Sequence, residues 1–296
     1  MNKIVSRILG GLGNQLFCYA AARRLAIVNN AELVLDEVSG FVRDHDFERH
    51  YQLDHFSIPC RKATRAERLE PLSRVRRYII RSINYSRKFE DRKYIQQEGI
   101  DFDERLLAIN PVGTVYLEGY WQSEQYFKDV EPVIRAELRI ISPKDETNQA
   151  MAAHIRSCLA VAVHVRFFDV PQGGQEGGNI LNDYYARAVA NMEMLTPDAH
   201  YFVFSDQPDY ARARLALPAE RMTIVAQNLG DQNAYADLWL MTQCRHFIIA
   251  NSTFSWWGAW LSTFESKIVI APNPKLMGQD SYWRTVGILP EKWLLL

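Results

Sequence analysis

Cysteine is scarce in this chain: four residues, Cys18, Cys60, Cys158 and Cys244, with no Cys-x-x-Cys pair among them. That excludes a disulfide framework and the usual zinc-ligand spacing, and it reads as reduced, mostly buried thiols of a cytoplasmic protein. Long apolar runs are missing as well, and Met1 passes directly into Ile4-Val-Ser-Arg-Ile8 without a cationic and then apolar leader, so neither a transmembrane anchor nor secretion is expected. Charge of one sign is also lacking, with 34 basic against 35 acidic side chains and a net charge of −1. Nothing global therefore points to nucleic acid. What is present is a core-forming composition, 48% hydrophobic and 23% charged over 296 residues, a length that suggests two domains of about 150 residues each.

The most informative stretch runs from Phe247 to Leu261. An apolar run, Phe247 to Ala250, stops at Asn251-Ser-Thr-Phe-Ser255, after which Trp257, Trp260, Leu261 and Phe264 recur at helical spacing. This predicts a strand, a tight polar turn and a buried helix. Asn251, Ser252, Thr253 and Ser255 would then stand at the helix start, where hydroxyls and backbone amides converge on one point suited to a phosphate. An ordinary N-cap is the competing explanation for any one of them.

The chain begins with a second pattern of this kind. Ile4 to Leu9 reads as a strand, Gly10-Gly-Leu-Gly-Asn-Gln15 as a turn, and the segment to about Val28 as a helix with Leu16, Ala20 and Ile27 on one face. Glu32 to Asp36 is the next strand. Gly11 and Gly13 open a G-x-G-x-x-G dinucleotide pattern, and Asp36 sits where a ribose-binding acid belongs. Leu16 occupies the third glycine position, and Asn14 places an amide at the helix mouth, which argues against an NAD site. A purely structural glycine turn is the other alternative.

Composition changes at about 61–93, where Arg and Lys far outnumber acids. Val75, Ile79 and Ile83 share one helical face and Arg74, Arg77 and Arg81 another, so a basic amphipathic helix is predicted. Such a run is ordinarily a solvated face; the alternative is contact with anionic membrane lipids. Asp101-Phe-Asp103 has the form of a metal-binding Asp-x-Asp, but the residues before it do not make a convincing strand, and no metal site is predicted. Thr114 to Gln122 reads as a strand ending in Tyr120, Trp121 and Gln122, whose aromatic faces and amide suit a sugar ring, with core packing the alternative for each aromatic.

Segment 129–148 reads as a helix and then a polar connection, which places the domain boundary at 148/149. Beyond it, apolar runs at Leu159–Val165, Tyr201–Phe204, Met222–Val225, Phe247–Ala250 and Lys267–Ala271 alternate with helical segments at Asp183–Met194 and Tyr235–Gln243. That alternation predicts a parallel sheet covered on both faces, with ligands beyond the carboxyl ends of its strands. Those ends carry His164, Arg166, Ser205, Asp206 and Asn251 to Ser255. Arg166 can clamp a diphosphate, Asp206 can accept from a nucleoside, and His164 is equally well explained as a core histidine. Gly173 to Gly178 would form a mobile loop after the arginine.

Taken together, Gly10-Gly-Leu-Gly-Asn-Gln-Leu-Phe17, Tyr51-Gln-Leu-Asp-His-Phe56, Tyr116-Leu-Glu-Gly-Tyr-Trp-Gln122, His164-Val-Arg166, Phe204-Ser-Asp206 and the Ile249–Leu261 motif resemble the alpha-1,2-fucosyltransferases, the inverting glycosyltransferases of family eleven. The resemblance implies an α/β fold of two Rossmann-like domains facing across a cleft, the B-type architecture: 1–148 on the acceptor side with a basic helical insertion at about 61–93, and 149–296 binding the nucleotide sugar. It implies GDP-fucose as donor substrate, no cofactor or metal, and transfer to a hydroxyl, commonly O2 of a galactose, of a glycan acceptor that in some cases is lipid-linked. A cytoplasmic enzyme of bacterial surface-polysaccharide or O-antigen synthesis fits, and the basic region allows placement on the inner face of the membrane. Donor-binding residues would be Gly11, Gly13, Asn14, His164, Arg166, Asp206, Asn251, Ser252, Thr253 and Ser255; Tyr120, Trp121 and Gln122 would meet the acceptor. Arg166 and Asn14 would stabilise the departing diphosphate, and Glu118 and Asp36 are the candidates for the base. One departure stands out: the family's His-x-Arg-Arg-x-Asp is His164-Val-Arg166-Phe167-Phe168-Asp169 here, so a phenylalanine replaces the second arginine. That keeps open a related transferase using another GDP-deoxysugar, and a non-catalytic nucleotide-sugar or glycan-binding protein is the alternative of a different class.

Overall fold

The computed structural model describes residues 1–45, 47–167, 183–215, 217–277, 283 and 287–296. The chain divides into two compact units, one from Met1 to Arg139 and one beginning at Ile140. A short C-terminal segment that includes Gly287 and Ile288 belongs to the first unit, and Leu289–Leu296 closes the second. Ser123 Oγ donates to the Gly287 carbonyl at 2.8 Å and helps hold that segment. The division falls at 139/140 and not at 148/149. Pro143 interrupts the connection, and Asp145 caps the following helix by accepting from Asn148 N–H at 2.8 Å, so residues 140–148 fold with what comes after them.

The first unit is built on a five-stranded parallel sheet in the order β3-β2-β1-β5-β4, with β1 Lys3–Arg7, β2 Glu32–Asp36, β3 Arg61–Lys62, β4 Tyr94–Gln96 and β5 Thr114–Glu118. Helix α1, Leu12–Val28, follows β1 and buries most of its length, including Leu16, Phe17, Ala20 and Leu25. Ser6 Oγ bonds the Cys18 carbonyl of α1, so the register places Ser6, Leu35 and Leu117 toward that helix. Val5, Val34, Ala63 and Tyr116 pack on the opposite face. Helix α3, Glu131–Glu137, is tied to α1 by a fork in which Arg23 Nε and Nη2 donate to the Glu137 carboxylate at 2.9 and 2.6 Å.

Region 61–93 is not an insertion. Its ends meet β3 and β4, and helix α2, Ser73–Tyr85, makes the crossover between them. Sequence reading overlooks β3 and β4 because the former is two exposed charged residues and the latter only three residues long. The expected strand to Gln122 ends at Glu118, where Gly119 takes φ 155° and Trp121 φ 55°. Those angles turn the chain out of the sheet.

The second unit carries a six-stranded parallel sheet in the order β11-β10-β9-β6-β7-β8. Its strands are β6 Ala160–Val165, β7 His200–Ser205, β8 Met222–Val225, β9 His246–Ile248, β10 Val269–Ala271 and β11 Leu294–Leu295. The helices are α4 Glu146–Arg156, α5 Tyr184–Leu195, α6 Pro208–Arg214, α7 Ala234–Thr242 and α8 Thr253–Leu261. Val161, Val163, Val165, Val203 and Ile248 face α5 and α6, packing on Tyr184, Tyr185, Ala188 and Ala211. Phe202 and His164 face the other way, Phe202 against His154 of α4 and His164 against Phe254 of α8. Both faces are therefore covered, which is why the strands read as nearly continuous apolar runs. Gly258 lets α8 pack closely on α7, since a Cβ there would stand 3.1 Å from Met241 Cε. Trp256, Trp257 and Trp260 anchor the same helix in the core. Phe264, expected on that helix, lies beyond its end and is partly exposed.

Candidate functional site

Each sheet has one place where the chain reverses its direction of growth, and the residues singled out in the sequence gather there. In the second unit β6, β7 and β8 are laid down outward, and the chain then returns to place β9 on the other side of β6. The crevice beyond the carboxyl ends of β6 and β9 is the switch point at which open α/β sheets bind ligands. Val163 stands opposite Ile248 in the ladder. Arg166 and Asn251 lie three residues beyond those partners.

Arg166 and Asp206 form the electrostatic centre of this crevice. Arg166 Nη1 lies 3.2 Å from Asp206 Oδ2, with the side chains 21% and 13% exposed. Asp206 Oδ1 accepts the Phe167 N–H at 3.0 Å, so β7 braces the end of β6. Asp206, predicted to hold a nucleoside, stands beside the arginine: one oxygen accepts from backbone and the other faces the guanidinium. Phe167 itself is 6% exposed, belongs to the sheet core and meets Tyr210 at 6.2 Å between ring centroids. The position where the family carries a second arginine is thus a core position in this chain. Phe168, Asp169 and the Gly173–Gly178 stretch lie outside the described residues.

His164 is 4% exposed and stacks obliquely on Phe254 at 5.5 Å. Burial, reinforced by the positive charge of Arg166, lowers its pKa to about 3, so the ring is neutral at physiological pH. It contributes shape and dipole to the site, and no charge. Its backbone carbonyl accepts from Tyr185 Oη at 3.0 Å, while Tyr184 Oη bonds the carbonyls of Ile249 and Ile270 at 2.8 and 3.1 Å. Two adjacent tyrosines of α5 therefore fix the ends of β6, β9 and β10. Sequence reading missed this role, for which the only signal is a Tyr-Tyr pair opening a helix.

The turn after β9 presents the start of α8. Ser252 occupies the N-cap in extended conformation without a side-chain bond to the helix among the described residues. A helix start is a place where backbone N–H groups and the helix dipole favour negative charge. Ser252, Thr253 and Phe254 are half-buried, and Asn251 is buried with Oδ1 lacking a hydrogen-bond partner among the described residues. Ser255 departs from expectation. It is fully buried, and its hydroxyl donates back to the Ser252 carbonyl at 3.3 Å, so it shapes the turn from within.

The first unit has its own switch point between β1 and β5. Gly10 takes φ 75° there, and a Cβ would meet Asn14 Nδ2 at 2.9 Å and Tyr120 Cε1 at 3.0 Å. Only glycine lets the loop close on those side chains. Gln122 Nε2 donates to Asn14 Oδ1 at 2.9 Å, which joins the two motifs at the strand ends. Gly11 is the N-cap of α1, and Gly13 is buried in its first turn. Gln15, which sequence reading did not single out, ties this loop to the next segment by donating to the Gly10 and His50 carbonyls at 2.9 and 2.7 Å. Trp121 is 0% exposed and edge-on to Tyr126, so it is a core residue and not a sugar platform. Tyr120, in contrast, is exposed at 37%.

Both candidate bases are tied into the scaffold. Glu118 receives Arg7 Nη1 at 2.8 Å on one oxygen and the Tyr94 hydroxyl on the other. Asp36 is buried and accepts from the amides of Val38 and Ser39 at 3.2 and 2.9 Å and from the Ser39 hydroxyl. Asp103 is bonded by the Arg105 side chain at 2.8 Å. Among the described residues no group of three or more His, Cys, Asp or Glu is arranged to hold a metal, and no helix is long and apolar enough to cross a membrane.

Comparison with known proteins bears on the family and the fold. The model for "Glycosyl transferase family 11" matches residues 69–284. The chain is 27% identical over 304 residues to the Alpha-1,2-colitosyltransferase of Escherichia coli, with 99% of each chain covered. It is 30% identical over 301 residues to the O-antigen biosynthesis glycosyltransferase WbnK of Escherichia coli, covering 93% of this chain and 95% of that one. Its fold is shared with the NodZ alpha-1,6-fucosyltransferase, solved from a crystal soaked with GDP-fucose, at a TM-score of 0.55 and 14% identity over 94% of this chain and 97% of that one. The match spans most of the chain and covers the ends of β5, β6, β7 and β9, and the chain belongs to glycosyl transferase family 11.

Proposed function

We propose that the enzyme moves L-fucose from GDP-fucose to a hydroxyl, O2 of a terminal galactose, of a glycan acceptor in surface-polysaccharide or O-antigen synthesis, with inversion at the anomeric carbon. The observation that carries the proposal is the Arg166–Asp206 pair at the β6/β9 switch point, in the same crevice as the Asn251–Thr253 turn that opens α8. Breaking the sugar–phosphate bond puts negative charge on the departing GDP, so groups that bind it more tightly as that charge grows lower the barrier. Arg166 is held for this by Asp206, and the turn from Asn251 to Thr253 adds dipoles directed at the same charge. Ser255 and His164 maintain the shape of the cradle. Asn14, Tyr120 and Gln122 form a separate polar and aromatic cluster in the first unit whose chemistry suits sugar hydroxyls. Neither Glu118 nor Asp36 is assigned the base, because their oxygens are already engaged. A loose transition state with positive charge on the sugar demands little help from one. No cofactor or metal takes part in this reading, and the enzyme works in the cytoplasm at the inner face of the membrane.

A second reading is favoured by one observation: a relative covering 99% of the chain is a colitosyltransferase. Under it the same cradle holds GDP and the donor sugar is a more deoxygenated one than fucose. Measuring GDP release with GDP-fucose and GDP-colitose over a panel of terminal galactosides, in chelator, separates the two. Faster release with GDP-colitose selects the second reading. Tight GDP binding with no release from any donor would make the protein a binder and sink both.

A further inference from the structure

Helix α2 is turned inside out. The face it lays on the sheet is polar: Asn84 is buried and accepts the Lys93 N–H, while Arg81 donates to Gln96 at 2.8 Å and lies over the Tyr94 ring at 5.8 Å. Ile80 is the half-buried exception on that face, and the other apolar residues point away. Leu72 at the cap is 71% exposed, Val75 51%, Ile79 49% and Ile83 55%. Their spacing of three and four residues makes one continuous stripe. Tyr78 and Tyr85, both exposed, run along one edge of it, and Arg74 and Arg76 flank it. Arg76 donates to the Glu70 carbonyl, Arg77 to the Ser73 hydroxyl and Arg81 to the Gln96 amide. These acceptors are neutral, so none of these three bonds sets a carboxylate against a guanidinium.

We propose that α2 docks the enzyme on an anionic phospholipid bilayer. The helix lies in the plane of the interface with Leu72, Val75, Ile79 and Ile83 among the upper acyl segments, the tyrosines at headgroup level and Arg74 and Arg76 on lipid phosphates. The occupant follows from charge. Symmetric pairing of two copies through this face would bring two cationic rims together, whereas an anionic surface neutralises the rim. This extends the membrane placement proposed above, but it rests on the helix and not on the identity of the donor.

The test is co-sedimentation of the full chain with phosphatidylglycerol-containing vesicles and with pure phosphatidylcholine vesicles, alongside sedimentation velocity without lipid. Binding is expected only with the anionic vesicles and should weaken with salt. The double change Val75→Asp and Ile79→Asp should reduce partitioning by more than about tenfold, and each of Arg74→Gln and Arg76→Gln by roughly fivefold. Thermal unfolding checks that the variants fold, and Val75→Ser with Ile79→Ser replaces the aspartate pair should it not. Equal binding to neutral vesicles overturns the proposal, as does a self-associating chain that dissociates on the aspartate change and never binds lipid. GDP release with a soluble acceptor should be the same in all these variants. Loss of docking is thereby read separately from failure of the proposed reaction.

Discussion

Removing the Arg166 guanidinium tests the catalytic proposal most directly. Two unit charges 3.2 Å apart attract by about 5 kcal/mol at an effective dielectric constant near 20, and desolvation and side-chain ordering offset much of this. The net worth of a pair that is mostly but not fully buried should be roughly 1–3 kcal/mol. Arg166→Ala therefore has two separable consequences. The Asp206 carboxylate loses its counter-charge while keeping the Phe167 N–H, and the unfolding free energy in urea should fall by about 1–3 kcal/mol. In the reaction, loss of one charge-stabilising donor should lower kcat by about 100- to 1000-fold, or about 2.7–4 kcal/mol, with a smaller change in KM for the donor. Asp206→Asn keeps an acceptor for Phe167 N–H and leaves the arginine its charge but not its brace, so it should lose rate by only about tenfold. Steady-state GDP release across donor concentrations, with both variants shown to be folded, reads these values. An Arg166→Ala enzyme within about threefold of the parent would show that the leaving group is stabilised elsewhere.

Two further expectations concern the same strand end. His164 has a folded-state pKa of about 3 against an unfolded value near 6.5. The histidine has no linkage effect above pH 6.5, and it destabilises the fold progressively as pH falls from 6.5 to about 3. At pH 5 this should cost about 2 kcal/mol relative to pH 7. Urea unfolding of the parent and of His164→Gln at both pH values isolates the effect, and identical pH slopes would mean that the ring protonates freely in the fold. Phe167→Arg restores the charge that the family pattern carries, but places it in a packed core against Tyr210. It should destabilise the second unit by about 3–5 kcal/mol and leave turnover no better. A stable variant with raised activity would place the 167 side chain in the donor site after all.

The local pattern of the chain determined a good deal. Continuous apolar runs separated by helical spacing specify parallel strands covered on both faces, because only such strands are apolar on both sides. The β2 and β8 bounds could be read from sequence without error. The motif at 247–261 announced its own strand, turn and helix, since a run of aliphatics, a cluster of cap-forming residues and a helical tryptophan stripe are all short-range signals. The strands β3, β4 and β11 could not be read, being two or three residues long and held by their neighbours in the sheet.

What a side chain does with its polar atoms was decided by tertiary structure alone. Asp206 and Glu118 are both strand-end carboxylates in sequence, yet the fold sets the first beside Arg166 and spends the second on joining Arg7 to Tyr94. Trp121 and Tyr120 are neighbours with the same apparent fitness for sugar, and a positive φ at Trp121 sends one ring into the core and leaves the other partly exposed. Helix α2 shows the difference most plainly. Periodicity fixes that its face is amphipathic, but which face meets the protein depends on what β4 offers. Here Tyr94 and Gln96 take Arg81 and leave the aliphatic stripe outside, because hydrogen bonds and ring contacts across the sheet edge are long-range and leave no periodic trace in the chain.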